Sequence, residues 1–229
     1  MFDPEQFRDA LIVSCQAPPD SPFHGPGPMA LMARAAAAGG ARGVRVNGPE
    51  DIAAVRKVVH IPVIGCLKRR VPESPVYITP TFDDAVAVAR AGADLVALDA
   101  TLRPRPNGET ISRIIARIRD ELGLPVVADV DSVEAAVSAS GAGATFLATT
   151  LAGYTGGEVP DGPDIELVRR IRAAITCPVL AEGRYQNAGQ VAAAFAAGAH
   201  AVVVGEAITD PVAITRRLVT VARTATGEP

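Results

Sequence analysis

The chain has 229 residues, 48% of them apolar, a net charge of −3 and no tryptophan. That length suits one α/β barrel, and the near-neutral charge supplies no basic field, which argues against general nucleic-acid binding. No apolar run is long enough to span a bilayer, and the first ten residues lack the basic and apolar regions of a signal peptide, so no membrane partner and a cytoplasmic location are expected. The three cysteines, Cys15, Cys66 and Cys177, have neither metal-ligand spacing nor an even count for a disulfide framework.

From the N-terminus, Asp3, Pro4 and Gln6 read as an N-cap, a first-turn proline and a capping-box residue, starting a short helix before strand one. Eight short β-branched runs then alternate with Ala-rich helical segments. They fall at 11–16, 44–47, 63–68, 95–101, 126–131, 146–151, 179–184 and 201–205. Several are apolar on consecutive residues, as in strands buried on both faces. Strands three, five and seven follow Pro62, Pro125 and Pro178; strands two, four, six and eight follow Gly40, Gly92, Gly143 and Gly198. The two signatures alternate with a period of two βα units, an internal repeat that closes naturally into a ring. Thr209, Asp210 and Pro211 start a last helix. The expected architecture is a single-domain (β/α)8 TIM barrel over 1–229. An open doubly wound sheet would carry a glycine-rich first turn, which this sequence lacks.

In such barrels the chemistry sits at the C-terminal ends of the strands. The polar residues there are Gln16, Arg45, Asn47, Lys68, Asp99, Thr101, Asp129, Asp131, Thr149, Thr150, Glu182 and Arg184. Strands three and seven stand opposite each other in a ring of eight, so Lys68 and Glu182 approach one molecule from two sides. With Arg45 beside Lys68, this set suits proton abstraction next to a carbonyl, or aldol chemistry through a lysine Schiff base. Gly183 with Arg184, and Gly205 with Glu206, end adjacent strands seven and eight, where barrels commonly cradle phosphate. The loops 17–28, with His24, and 153–163, with Tyr154, are candidate lids. His60 and His200 lie at the opposite rim and read as structural. No metal cluster or nicotinamide fingerprint is present in the sequence, so neither a metal nor a cofactor is expected.

Leu11-Ile-Val-Ser-Cys-Gln-Ala17, Gly43-Val-Arg-Val-Asn47, Pro62-Val-Ile-Gly65 with Lys68, and Tyr77-Ile-Thr-Pro-Thr81 form an ordered series. Ala97-Leu-Asp-Ala-Thr101, Thr149-Thr-Leu-Ala-Gly-Tyr154, Ala181-Glu-Gly-Arg184 and Gly198-Ala-His-Ala-Val-Val-Val-Gly205 continue it. The series resembles the bacterial N-acetylmannosamine-6-phosphate 2-epimerases over practically the whole chain. The resemblance implies a cofactor-independent isomerase that inverts C2 of a phosphorylated amino sugar, in sialic-acid or amino-sugar breakdown. It implies Lys68 as catalytic base and Glu182 at the other side of the sugar. Gln16, Arg45 and Asp129 match sugar-contacting positions, with the glycines of strands seven and eight at the phosphate. Tyr154, Arg184 and Glu206 complete the expected substrate-binding set, and a homodimer is compatible with the resemblance.

The chain departs from the family after strand eight. Where relatives commonly carry serine and arginine, it has Glu206 and Asp210, and both acids are expected to face the phosphate site. Two rivals follow, a Schiff-base sugar-phosphate lyase and a catalytically idle sugar-phosphate-binding protein on the same barrel.

Overall fold

The proline and glycine signatures each do a definite job in the computed structural model, which describes residues 2–156 and 158–226. Among these residues are eight strands. They are β1 (Ala10–Cys15), β2 (Gly43–Asn47), β3 (Val63–Cys66), β4 (Leu95–Asp99), β5 (Val126–Asp129), β6 (Phe146–Ala148), β7 (Val179–Glu182) and β8 (Ala201–Val204). All pair in parallel and in sequence order, and β8 closes on β1 to complete the barrel. Apart from β2, each strand ends one to three residues earlier than its β-branched pattern does, because the polar tails turn into loops.

Pro62, Pro125 and Pro178 have no N–H to lose, yet their carbonyls accept from Val44, Val96 and Leu147, respectively, of the preceding even strands at 3.0–3.1 Å. In return Asp94, Thr145 and His200, each next to an even strand, donate to the first residues of β3, β5 and β7 at 2.7–2.9 Å. Gly40, Gly92, Gly143 and Gly198 all take φ between 93° and 98° just past a helix end, a conformation closed to most side chains. The period-two repeat in the sequence is therefore a repeat of backbone hydrogen bonds.

The outer ring consists of α1 (Pro26–Ala38), α2 (Pro49–Arg56), α3 (Phe82–Arg90), α4 (Ile111–Leu122), α5 (Val133–Gly141), α6 (Ile165–Ala174) and α7 (Ala188–Ala196). Two more helices follow β8, α8 (Glu206–Thr209) and α9 (Pro211–Thr226). Thr81 and Asp84 form a capping box at α3, and Ser132, Asp164 and Asn187 cap α5, α6 and α7. The predicted N-terminal helix is a 3-10 turn over Pro4–Phe7; Asp3 caps it through the Glu5 N–H. Phe7 plugs the lower mouth against Phe146, and His200 holds the Pro4 carbonyl, so the lower rim is structural.

The helix ring is incomplete. In a closed (β/α)8 barrel the last helix covers the final strand, but the outer side of β8 remains an apolar groove of about 560 Å³. Leu11, Val191, Phe195, Val204, Ala207 and Ile208 line it. Helix α9 runs on past it with Leu218 and Val221 more than 60% exposed.

Candidate active site

The upper mouth holds a cavity of about 340 Å³, walled on one side by Lys68, Tyr77 and Ile78 and on the other by Glu182, Gly183 and Glu206. Its floor is a charged cluster. Arg45 projects inward from the middle of β2 and is 1% exposed. Its two terminal nitrogens grip both oxygens of Asp129, the last residue of β5, at 2.8 and 2.6 Å. One of them also donates to Glu182 Oε2 at 2.5 Å and to Thr150 Oγ1 at 3.2 Å. One guanidinium thus joins β2, β5 and β7 across the barrel, a planar fork suited to holding two carboxylates.

The electrostatics follow from burial. Taking the Glu182 carboxyl out of water pushes its pKa up; Arg45 opposes this and the nearby Asp129 charge reinforces it. For Arg45 burial opposes the charge, but Asp129 and Glu182 outweigh it and hold the guanidinium proton more firmly than usual. Cys66, below them on β3, has its thiol pKa raised by burial. Asp99, at the end of β4, is fully buried and also raised by burial, against hydrogen bonds from Thr101 and an ion pair with Arg103 at 2.7 Å.

Lys68 follows β3 and is presented by a fold-back. Arg69 donates to the Tyr77 carbonyl at 2.9 Å and Thr79 to the Leu67 carbonyl at 2.8 Å, so residues 67–79 form a short antiparallel return. Lys68 pairs with Ile78 within it. The Lys68 backbone N–H is fixed by Asn47 Oδ1 at 2.7 Å. Its side chain stays exposed in the mouth, close enough to Glu182 for its charge to favour the ionised carboxylate there. Gln16 is not in the cavity wall; it donates to Ser14 Oγ, which is, at 2.9 Å, while its buried Oε1 has no hydrogen-bond partner among the described residues.

At the β7–β8 side, Gly183, Arg184, Gly205 and Glu206 all reach the cavity wall. Arg184 is committed to the loop after β6: its Nε and Nη1 donate to the Gly162 and Ala152 carbonyls at 2.7 Å each. Its guanidinium lies 5.0 Å from the Tyr154 ring. Gly157, within the 153–163 loop, lies outside the described residues. Glu206 begins α8 and accepts from Gln186 Nε2 at 3.0 Å.

One expectation needs correction. Asp210 does not face the cavity; its Oδ1 caps α9 through the Ala213 N–H at 2.9 Å, because a short acid before Pro211 satisfies the exposed amides of the helix start. Arg45 and Asp129 are not in the cavity wall: the terminal nitrogens of Arg45 donate to Asp129, Glu182 and Thr150, and both Asp129 oxygens accept from Arg45. Asp131 and Asp99 also stay outside the cavity wall. Reading the sequence singled out neither Tyr77 nor Ser14 as a site residue, and gave Thr150 no role. A second threonine directly after β6, where one hydroxyl suffices to tie β6 to β7, was the available signal. Thr149 makes that tie, accepting from the Glu182 N–H at 3.0 Å and donating to its carbonyl at 2.9 Å.

Similarity to known proteins identifies the family. Residues 29–224 match the family model described as "Putative N-acetylmannosamine-6-phosphate epimerase". The chain belongs to this family. A protein of the same description from Thermosynechococcus vestitus is 50% identical over 206 residues, 89% of each chain. Another from Caldanaerobacter subterraneus is 44% identical over 218 residues, covering 94% of this chain and 92% of the relative. Among solved structures, the N-acetylmannosamine-6-phosphate 2-epimerase from Clostridium perfringens superposes with a TM-score of 0.92 at 36% identity, over 95% of both chains. The thiamine phosphate pyrophosphorylase from Pyrococcus furiosus, at 19% identity and a TM-score of 0.61, shares the fold alone.

Proposed function

We propose that the chain interconverts N-acetylmannosamine 6-phosphate and N-acetylglucosamine 6-phosphate by inverting C2. One observation carries the reading: Lys68 and Glu182 face a single cavity from opposite strands, while Arg45 and Asp129 fix Glu182 from below. The open-chain sugar has an aldehyde next to C2, which makes the C2 proton acidic. Lys68, as the free amine, removes that proton, and the electron pair moves onto the aldehyde oxygen. Glu182, its carboxyl biased by burial toward the protonated form, donates to the developing oxyanion. A solvent-derived proton then adds to the other face of C2 as the electron pair on oxygen reforms the carbonyl, and Lys68 gives up the abstracted proton to solvent. Gln16 and Tyr77 border the sugar, and the backbone at Gly183 and Gly205 meets the phosphate.

Incubation with N-acetylmannosamine 6-phosphate in deuterated water tests this. Incorporation of deuterium at C2, with N-acetylglucosamine 6-phosphate appearing, is expected. Carbon–carbon cleavage would replace the reading with a Schiff-base lyase, and neither reaction would leave a sugar-phosphate-binding protein.

The active species is a homodimer. The apolar groove beside β8 and the undocked α9 are complementary halves of one missing contact, and a second copy of the chain supplies both, each α9 filling the other's groove. Light scattering is expected to give twice the chain mass, and a chain ending at Asp210 the monomer mass. A monomeric full-length chain would refute the exchange. The location is cytoplasmic, in keeping with three cysteines held as free thiols.

A further inference from the structure

Thr150 Oγ1 stands where side chains from three strands cross. It lies 2.7 Å from Asp129 Oδ1 and 3.0 Å from Glu182 Oε2, and it accepts from Arg45 Nη1 at 3.2 Å. A hydroxyl has one proton, so it donates to only one of these carboxylates at a time. The carboxylates differ. Asp129 is fully buried and gives both of its oxygens to the two arms of Arg45; Glu182 meets Arg45 through one oxygen and borders the cavity.

We propose that Thr150 is a positioning residue whose rotating hydroxyl lets Glu182 take up and release a proton without disturbing Arg45 or Asp129. With Glu182 ionised, Thr150 donates to Glu182 Oε2. With Glu182 protonated, Glu182 donates to Thr150 Oγ1, and Thr150 turns its own proton to Asp129 Oδ1. No covalent bond changes apart from the one to the arriving or departing proton. The Thr150 hydroxyl proton has an acceptor in both states, and so has the Glu182 proton when it is present, so the exchange leaves neither of them unmatched. The inference deepens the epimerase reading, since it names what allows Glu182 to act there.

The groups facing Glu182 are Arg45 from β2, Cys66 from β3 and Lys68 just after it, Asp129 from β5, and the Thr149 and Thr150 hydroxyls after β6. On the β8 side it meets Val203, with Glu206 farther along the cavity wall. Of these, the Thr150 hydrogen bond favours the ionised carboxylate, so deleting the hydroxyl should move Glu182 protonation to higher pH.

The test uses the full chain, with Thr150→Val, Thr150→Ser and Glu182→Gln. Infrared titration of the substrate-free protein identifies the Glu182 carboxyl band as the one lost in Glu182→Gln. Its midpoint should rise in Thr150→Val and stay near wild type in Thr150→Ser. In C2 exchange, kcat should fall about tenfold in Thr150→Val, the rate equivalent of one hydrogen bond, with KM nearly unchanged. Thr150→Ser should restore most of that rate. An unmoved midpoint in Thr150→Val, a moved midpoint with normal kcat, or equal loss in the serine variant would each overturn the proposal. Should the valine variant not fold, Thr150→Ala carries the same measurements. The infrared titration needs no substrate, so a wild type inactive on the sugar phosphate would refute the epimerase reading and leave this test intact.

Discussion

Lys68 is where the chemistry is most exposed to test, because its backbone is pinned by Asn47 and the fold-back while its amine stays open to the mouth. Replacing it by methionine keeps length and packing but removes the base, so C2 exchange should fall on the order of 10²–10⁴-fold while sugar-phosphate binding changes little. Exchange near the wild-type rate would remove Lys68 from the mechanism. Borohydride added with substrate should leave Lys68 unmodified, since proton abstraction forms no imine. Glu206 offers a second test. It is the acid of the two departures that borders the cavity, so Glu206→Ser should tighten binding of the 6-phosphate sugar by up to about 1–3 kcal/mol and barely affect the unphosphorylated sugar. Equal improvement for both sugars would show that Glu206 does not face the phosphate. Asp210→Arg should give no such gain and should cost about 1 kcal/mol of stability, because it deletes the α9 cap.

The strands were legible in the sequence because burial on both faces leaves a continuous apolar run, and the proline and glycine signatures mark where each run begins. Less legible were the places where polar strand ends leave the sheet, and so Lys68 lies two residues beyond β3 rather than at its end. The return of residues 76–79 beside β3 was missed for a related reason: two backbone bonds and the Thr79 hydroxyl hold it, and a four-residue segment has no periodicity to read. Arg45 shows a further limit. Its spacing placed it in the site, but that its arms end on β5 and β7, rather than on a ligand, follows from the barrel's width, which no local pattern encodes. Strand β3 carries its own test at Gly65. A methyl group there would come within 2.6 Å of Val88, 2.7 Å of Ala93 and 2.9 Å of Ile52, all apolar atoms of the packed outer layer. Gly65→Ala should therefore destabilise the fold by about 1–3 kcal/mol in chemical denaturation. Full stability would mean that α2 and α3 sit less tightly on β3 than the structure has them.

Closure of the barrel was predictable from eight runs and a period of two; the gap in its outer ring was not. Thr209, Asp210 and Pro211 announce a last helix, and α9 is one, yet the signals that start a helix say nothing about which surface it lies against. That gap has a consequence for how long the chain survives. A lone 16-residue helix that contacts its own barrel chiefly through α8 is marginal in water and frays readily. Arg216 and Arg217 lie in its exposed middle, so trypsin should clip the chain there when the protein is dilute and spare it when concentrated, as the groove of a second copy sheathes the helix. Cleavage independent of concentration would mean that α9 is never sheathed. Where it is sheathed, digestion rate becomes a gauge of assembly, and a cell making too little of the protein would lose it to proteolysis faster than in proportion.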